Sequence, residues 1–413
     1  MEWRAYQPDT DREAVHRIWR EVGWLNPKEE TAAKALDIML EGNHPIVALI
    51  NDTAECCVLS DEGSMRYQQE EVPFSAVTGV TTSAIARRRG IARRLTAQAV
   101  LRGVETGALV TGLGIFDQGF YDSLGFGNYS YNHHYAFDPA TLCVNDKIPE
   151  PMRITANDAD AVHASRLRRI RTHGGVVLNH HCHTTCGMNW TENGFGLGYR
   201  NKDTGAITHM IWCNLEQKEE ISKLNVECMI YQNREQFLEL MGLLKQQADQ
   251  VVLINMMEPP GVQLQDLLIR PFRQRNLTHA GNAENQAICH ACFQMRMNDI
   301  NTCLEKSHFP GESIQFNLEL TDPIASCLEA HESWRGVAGQ YIVTMGEESS
   351  AMPGEKPGLQ TLKTNVNTFT RLWLGVRGAT ALSYTDQLNG SPELLSALDN
   401  LLRLPVPETG WMF

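Results

Sequence analysis

The stretch Val80-Thr81-Thr82-Ser83-Ala84-Ile85-Ala86-Arg87-Arg88-Arg89-Gly90-Ile91-Ala92 carries the plainest chemistry in the chain. A short β-branched run passes through three arginines and a glycine, and then a helical pattern opens. Ile91, Ala92, Leu95, Ala99 and Gly103 fall on one helix face, and Gly107 is a stop signal. A strand that enters a helix through a tight glycine loop makes an anion site. The first amides of the helix have no intrahelical partner, and the helix dipole adds positive potential. Gly90 lets backbone approach a phosphate closely, and the arginines add forked donors. A basic loop on a solvated helix start gives the same local pattern, so the loop needs company before it means a ligand.

Two other segments carry metal-ligating side chains. His180-His181-Cys182-His183-Thr184-Thr185-Cys186 and Cys289-His290-Ala291-Cys292 hold spacings that zinc can use. A closed site would require the two to meet across a domain boundary. The plainer reading is a polar loop and two core cysteines in a strand.

The company arrives thirty residues after the loop. Ala108 to Phe116 reads as a buried strand, followed by Phe120-Tyr121-Asp122-Ser123-Leu124-Gly125-Phe126. Strand, Arg-x-x-Gly-x-Ala loop, helix, strand and Phe-Tyr-x-x-Leu-Gly-Phe, in this order, resemble the GNAT N-acetyltransferases, which use acetyl-CoA. The resemblance implies that the loop amides of Arg87, Arg88, Arg89, Gly90, Ile91 and Ala92 hold the pyrophosphate. It implies that the pantetheine arm pairs with the open edge of Val80, Thr81 and Thr82 by β-augmentation.

Met65-Arg66-Tyr67, Val72-Pro73, Gly79-Val80 and the arginine loop narrow the resemblance to the Eis (enhanced intracellular survival) family, as do the length and the ending on Phe413. Ala84 departs from it, since a proline is usual there, and so does Gly79, where some members carry a bulky side chain. The fold class this resemblance implies is α+β: two tandem GNAT-like mixed α/β domains, the second degenerate, followed by a sterol-carrier-protein-like α+β domain. The expected divisions are 1–145, 146–286 and 287–413. In GNAT chemistry a free amine attacks the thioester directly. Carry-over from the Eis-like family gives Tyr121 as general acid and the free carboxylate of Phe413 as general base. A tyrosine hydroxyl, with a reference pKa of roughly 10, holds a proton to give at neutral pH. The amide of Val80 or Thr82 would stabilise the developing oxyanion. The resemblance implies no metal. It implies a homo-oligomer, often a hexamer.

The elements that would position these groups follow from pattern. Asp9 or Asp11 would cap a first helix with Ala14, Ile18 and Val22 inward, and His16, Trp19 and Trp24 belong to core or rim or to a pocket wall. Strands are expected at 45–50, 56–59 and 76–82. A second copy of helix, hairpin, strand, helix, strand runs from 153 to 257. Its loop, Tyr231-Gln232-Asn233-Arg234-Glu235, has no glycine, so only the first copy should bind acetyl-CoA. From 287 on, strands at 293–297, 313–320 and 334–345 precede a loop over 346–358. A helical part around 369–382 and a helix capped by Ser391 follow. The tail from Pro405 ends on Trp411-Met412-Phe413, an apolar ending that suggests burial.

Composition sets limits on partners. The chain has 413 residues, 42% hydrophobic and 21% charged, in the range of ordinary globular domains. No apolar run approaches a membrane span and no secretory leader opens the sequence, which places the protein in the cytoplasm. The net charge of −13 argues against nucleic acid and suits a cationic amine. Eleven unevenly spaced cysteines suggest reduced thiols. The expected activity is therefore acetyl transfer from acetyl-CoA to a primary amine on a small molecule (aminoglycoside-like or a polyamine) or on a lysine side chain, with no membrane partner. The alternative is a non-catalytic binder of lipid or another small ligand through the last domain.

Overall fold

The computed structural model describes residues 2–26, 30–218, 221–269 and 285–413. The chain forms three sheets. The first contains β1 (Glu2–Ala5), β2 (Ile46–Ile50), β3 (Thr53–Tyr67), β4 (Glu70–Thr82), β5 (Val110–Gly114) and β6 (Gly127–Asn128). Its order is β1-β2-β3-β4-β5, then the segment Phe293–Met297, then β6. Helices α1 (Pro8–Glu21), α2 (Glu30–Gly42), α3 (Ile91–Glu105) and α4 (Gln118–Asp122) belong to the same part of the chain. Only β4 and β5 run parallel here, with α3 as their crossover.

Strand β7 (Tyr131–Phe137) leaves this sheet and joins the second, where it lies antiparallel to Leu253–Met257. In return Phe293–Met297, which follows the second sheet's edge strand Gln286–Ala291, inserts into the first sheet beside β5. β7 and Phe293–Met297 thus take the same place relative to the parallel pairs of the sheets they join, and the first sheet also gains Val176–Leu178, antiparallel to β3. In the second sheet that pair is Ile221–Ile230 with Leu253–Met257, joined through the helix Arg234–Lys245. The duplication read from the sequence is visible in this shared order. The third sheet holds Ser350–Pro353, Gly339–Met345, Ile314–Thr321, Thr361–Asn365 and Leu388–Asn389.

Several local readings need correction. The first helix starts at Pro8 and has no side-chain cap, because Asp11 is turned inward to Arg4 and to the Gln7 amide. Its buried face is Asp11, Val15, His16, Ile18 and Trp19 rather than Ala14, Ile18 and Val22. The supposed loop at 180–186 enters a helix, Cys182–Trp190, that packs on α2; the Cys186 thiol donates to the Ala35 carbonyl at 2.9 Å. Cys289 is exposed and Cys292 half-buried, so neither is a core cysteine. The expected loop at 346–358 contains a strand, and Trp334 lies outside the strand that starts at Gly339. The Ser391 cap is as read, with its hydroxyl accepting from the Leu394 amide at 3.2 Å. Among the described residues no helix is long and apolar enough to cross a membrane.

The first and third parts of the chain share one core. Tyr67 of β3 stacks on Trp373 with ring centroids 4.1 Å apart, and its hydroxyl donates to the Trp373 carbonyl at 2.9 Å. Arg296, in the inserted strand, forms a fully buried ion pair with Asp322 at 2.8 Å. The guanidinium also donates to the Leu124 carbonyl and to Asn298 Oδ1, and the Asp322 carboxylate accepts from the Val337 and Ile324 amides. Every charge in this network has partners, so it fixes where the third domain sits relative to the Tyr121 helix. Removing one member leaves the other charge buried and unpaired. Asp322→Ala should therefore cost about 3–5 kcal/mol, seen as a lower denaturant midpoint in chemical unfolding. A midpoint within error of the parent would show that the pair fixes nothing.

Candidate active site

The site grows from a defect in the ladder between β3 and β4. Cys57 pairs with Thr81 but Leu59 pairs with Thr78, so Gly79 and Val80 together face the single residue Val58. This is a β-bulge, which bends a strand and re-aims it. Gly79 has φ +59°, and an added Cβ would lie 2.5 Å from Leu59 Cδ1 and 3.2 Å from Trp19 Cζ2. The small residue is thus imposed by backbone and by neighbours.

The bulge coincides with the end of the parallel pairing. β4 pairs with β5 from Phe74–Val110 to Val77–Leu113 and no further. From Thr78 to Thr82, β4 keeps β3 on one side and has no strand on the other. An unpaired edge of five residues is what an extended, amide-bearing arm needs to add itself to a sheet. Val80, Thr81 and Thr82 lie on this edge.

Beyond the edge the chain turns through a short helical turn, Ala84–Ala86, into the arginine loop. Arg88 and Gly90 take φ of +58° and +72°, and α3 starts at Ile91 with Gly90 as its N-cap. Arg94 is the first residue of α3 whose amide reaches a carbonyl, Gly90's, at 3.2 Å. The amides of Ile91, Ala92 and Arg93, in the first turn, have no intrahelical partner. A Cβ on Gly90 would meet nothing within 4 Å, and Arg87, Arg88 and Arg89 are exposed. A diphosphate therefore has free first-turn amides, free approach and three guanidinium groups.

The corresponding place in the second sheet is closed. Asn233 caps the helix Arg234–Lys245 by accepting from the Gln236 amide at 3.0 Å, and the Gln236 side chain takes the Gln232 amide at 2.8 Å. Side chains occupy the donors that a phosphate would use.

Between the diverging strands lies a cleft of about 460 Å³. Val77, Thr78, Gly79 and Val80 form one wall, and Gly114, Ile115 and Phe116 form another. Tyr121 and Phe413 line it as well. Tyr121 stands on α4, whose N-cap Asp117 accepts from the Phe120 amide at 3.2 Å. Its ring packs edge-on against Phe120 and Phe126, and it is 5% exposed. Burial pushes the Tyr121 pKa up to about 12, helped by the Asp117 carboxylate.

Phe413 reaches this cleft along the extended tail. Ser130 donates to the Pro407 carbonyl, Glu408 donates its amide to the His173 carbonyl at 3.0 Å, and the Val176 amide donates to Thr409 at 2.9 Å. Trp411 is buried under the guanidinium of Arg166, 3.6 Å from its ring centroid. The Phe413 ring then packs against Phe293 and Phe74, at 5.0 and 5.6 Å. Its main-chain oxygen lies 3.1 Å from where a Cβ on Gly114 would stand, at the end of β5.

The remaining wall is aromatic. Trp19 and Trp24 meet edge-to-face at 5.4 Å, Trp190 lies 5.9 Å from Trp19, and Phe116 lies 6.2 Å from Trp24. Trp19 and Trp24, for which the sequence leaves a pocket wall open beside core or rim packing, line the cleft. Trp190, Met39 and Phe116 were not singled out in the sequence. Trp190 comes from the helix that had read as a loop, and no local pattern marks it. Of the oxyanion candidates, Val80 lines the cleft and Thr82 does not. His16 is engaged by Asp37 at 2.7 Å and Glu71 by Arg171, and neither lines the cleft.

Comparison with known proteins agrees with this geometry. Residues 3–129 match the acetyltransferase (GNAT) domain family, and residues 300–410 match the sterol carrier protein domain family. No curated protein sequence matches the chain. Among solved structures, a probable N-acyltransferase from Enterococcus faecalis V583 is similar over 100% of this chain and 99% of its own, with TM-score 0.78 and 16% identity. A GCN5-related N-acetyltransferase from Anabaena variabilis gives TM-score 0.76 at 15% identity, with 100% of both chains covered. Eis1 from Mycobacterium abscessus gives 0.74 at 16% identity, again with both chains covered completely. The bulged strand, the free first-turn amides and these matches lead to one conclusion: residues 3–129 are a GNAT acetyltransferase domain, with acetyl-CoA as co-substrate, and residues 300–410 a sterol-carrier-like domain, on a fold the chain shares with Eis1.

Proposed function

We propose that the protein acetylates a primary amine of a cationic acceptor by direct attack, with Tyr121 as general acid and the terminal carboxylate of Phe413 as general base. The observation that carries this reading is the convergence of the open β4 edge, Tyr121 and Phe413 on one cleft, from distant parts of the chain. Bound acetyl-CoA supplies the thioester. Arg87 to Ala92 would hold its diphosphate, and Val80 to Thr82 its amide-bearing arm. Phe413 would take a proton from the incoming ammonium, Val80 would offer its amide to the developing oxyanion, and Tyr121 would return a proton to the leaving sulfur. A raised pKa suits the last role, because Tyr121 stays protonated through the neutral range.

The cleft also bears on the acceptor. Aromatic faces attract a cation, and Trp19, Trp24, Phe116 and Trp190 surround the opening. Among the described residues the lining contains no aspartate or glutamate. This favours an amine carried on a slender apolar stem, such as a lysine side chain, over a polycation that needs several carboxylates. The intact loop and cleft do not favour the non-catalytic alternative. We also propose the three-part division 1–145, 146–286 and 287–413 and a homo-oligomer, a hexamer by family resemblance; light scattering reads the latter directly.

Gly90→Asp should weaken acetyl-CoA binding strongly in calorimetry, since it sets a negative charge among the phosphates without a clash inside the protein. Undiminished affinity in the folded variant would displace the diphosphate from this loop.

Tyr121→Phe should keep acetyl-CoA affinity and lower kcat by about a hundredfold or more. The wild-type rate should show no alkaline limb from Tyr121 near pH 10, where an ordinary tyrosine titrates. Its raised pKa delays loss of the proton to higher pH. Wild-type turnover in the Phe variant would move the acid elsewhere.

Appending glycines after Phe413 displaces the carboxylate while leaving the loop untouched. Turnover should be abolished or strongly reduced, with acetyl-CoA affinity little changed. Full activity in the extended enzyme would remove Phe413 from the mechanism.

A further inference from the structure

The two His/Cys segments do not combine into one site; each meets different partners. Cys182 and His183 are buried beside Asp61, but Asn43 already serves them. Its amide donates to Cys182 Sγ at 3.2 Å, and its Oδ1 lies 3.3 Å from His183 Nε2. The second cluster has no such occupant. His134 of β7, His290 of the adjacent strand and Cys292, one residue past that strand's end, present Nε2, Nε2 and Sγ to one another.

The ladder explains the convergence. Ile288 stands opposite His134 and His290 opposite Asn132, so alternation puts His134 and His290 on one face, and Cys292, just past the strand's end, brings its sulfur to both rings. The two imidazoles stack nearly parallel, with centroids 5.4 Å apart. Cys292 Sγ lies 3.7 Å from His134 Nε2 and 3.5 Å from His290 Nε2. Zinc bonds of about 2.0 Å to nitrogen and about 2.3 Å to sulfur, at the tetrahedral angle, separate N and S by about 3.5 Å. Both nitrogen–sulfur separations thus already match those of a bound tetrahedron. A thiol has one proton and can donate it to one imidazole only; an ion would engage both rings and the sulfur together.

We propose that His134, His290 and Cys292 bind a borderline or soft transition-metal ion, zinc in the first instance. Two imidazoles and a thiolate exclude the oxygen-seeking magnesium and calcium. His290 is exposed and the other two are half-buried, so an ion can enter from solvent and keep a fourth position for water. The Oδ1 of Asn132, across the ladder from His290, is buried with no hydrogen-bond partner among the described residues, and such a water would give it a donor. The ion would tie the edge strand to β7 where the chain crosses to the first sheet, one residue before Phe293 packs on Phe413.

The test uses full-length, untagged protein stripped with chelator and titrated with Zn²⁺ by calorimetry and with Co²⁺ by absorption. The expected result is one equivalent of Zn²⁺, a higher melting temperature with zinc, and a thiolate-to-cobalt charge-transfer band. Cys292→Ser should abolish the band. It should weaken Zn²⁺ binding by about a hundredfold or more, since even outer-shell partners cost tenfold to hundredfold. His290→Ala, at an exposed position that leaves the fold intact, should weaken binding as much. Three results would overturn the site: no stoichiometric Zn²⁺ in the parent, parental affinity in both variants, or binding lost through Cys182→Ser instead.

Discussion

The separation of β4 from β5 after Val77 is the constraint on which the rest depends. A parallel pair that stayed closed would satisfy its own amides and leave nothing for a ligand. The bulge at Gly79–Val80 turns β4 away, and the energy of the lost ladder bonds stays available for an added strand-like molecule. The same divergence creates the cleft, sets Tyr121 on one side of it, and leaves the end of β5 open to the tail. One inserted residue in a strand therefore supplies binding edge, reaction volume and approach path together.

Such a cleft works only if its walls keep their places, and they come from all three parts of the chain. The exchange of β7 for Phe293–Met297 locks the first two sheets to each other. The Arg296–Asp322 pair and the Tyr67–Trp373 stack lock the third part to the first. Across this frame the tail is laid down by backbone hydrogen bonds and by Trp411 under Arg166. The sterol-carrier-like domain thus acts in the structure as a support that delivers Phe413. This accounts for an ending that is apolar rather than frayed.

What was legible in the sequence was local. The arginine loop, the Phe120–Phe126 motif and the missing glycine at 231–235 depend on neighbours a few residues apart, and pattern captures that. The Ser391 cap was readable for the same reason. The strand exchange was not, because β7 and Phe293–Met297 look like any other strands until their partners are known. Trp19 and Trp24 were visible as residues, but their place in the cleft depends on Trp190 and Phe116 arriving from elsewhere. The His/Cys segments show the limit most clearly. In the sequence a closed site requires the two segments to meet, whereas the fold gives one of them Asp61 and Asn43 and the other His134.

The most direct measurement is a crystal structure of the protein with coenzyme A. The expected result has the diphosphate on the amides of Arg88 to Ala92 and the arm paired along Thr78 to Thr82. The sulfur should lie within hydrogen-bond reach of the Tyr121 hydroxyl, on the side of the cleft that Phe413 closes. Coenzyme A bound elsewhere, or bound with its sulfur directed away from Tyr121, would contradict the proposed site.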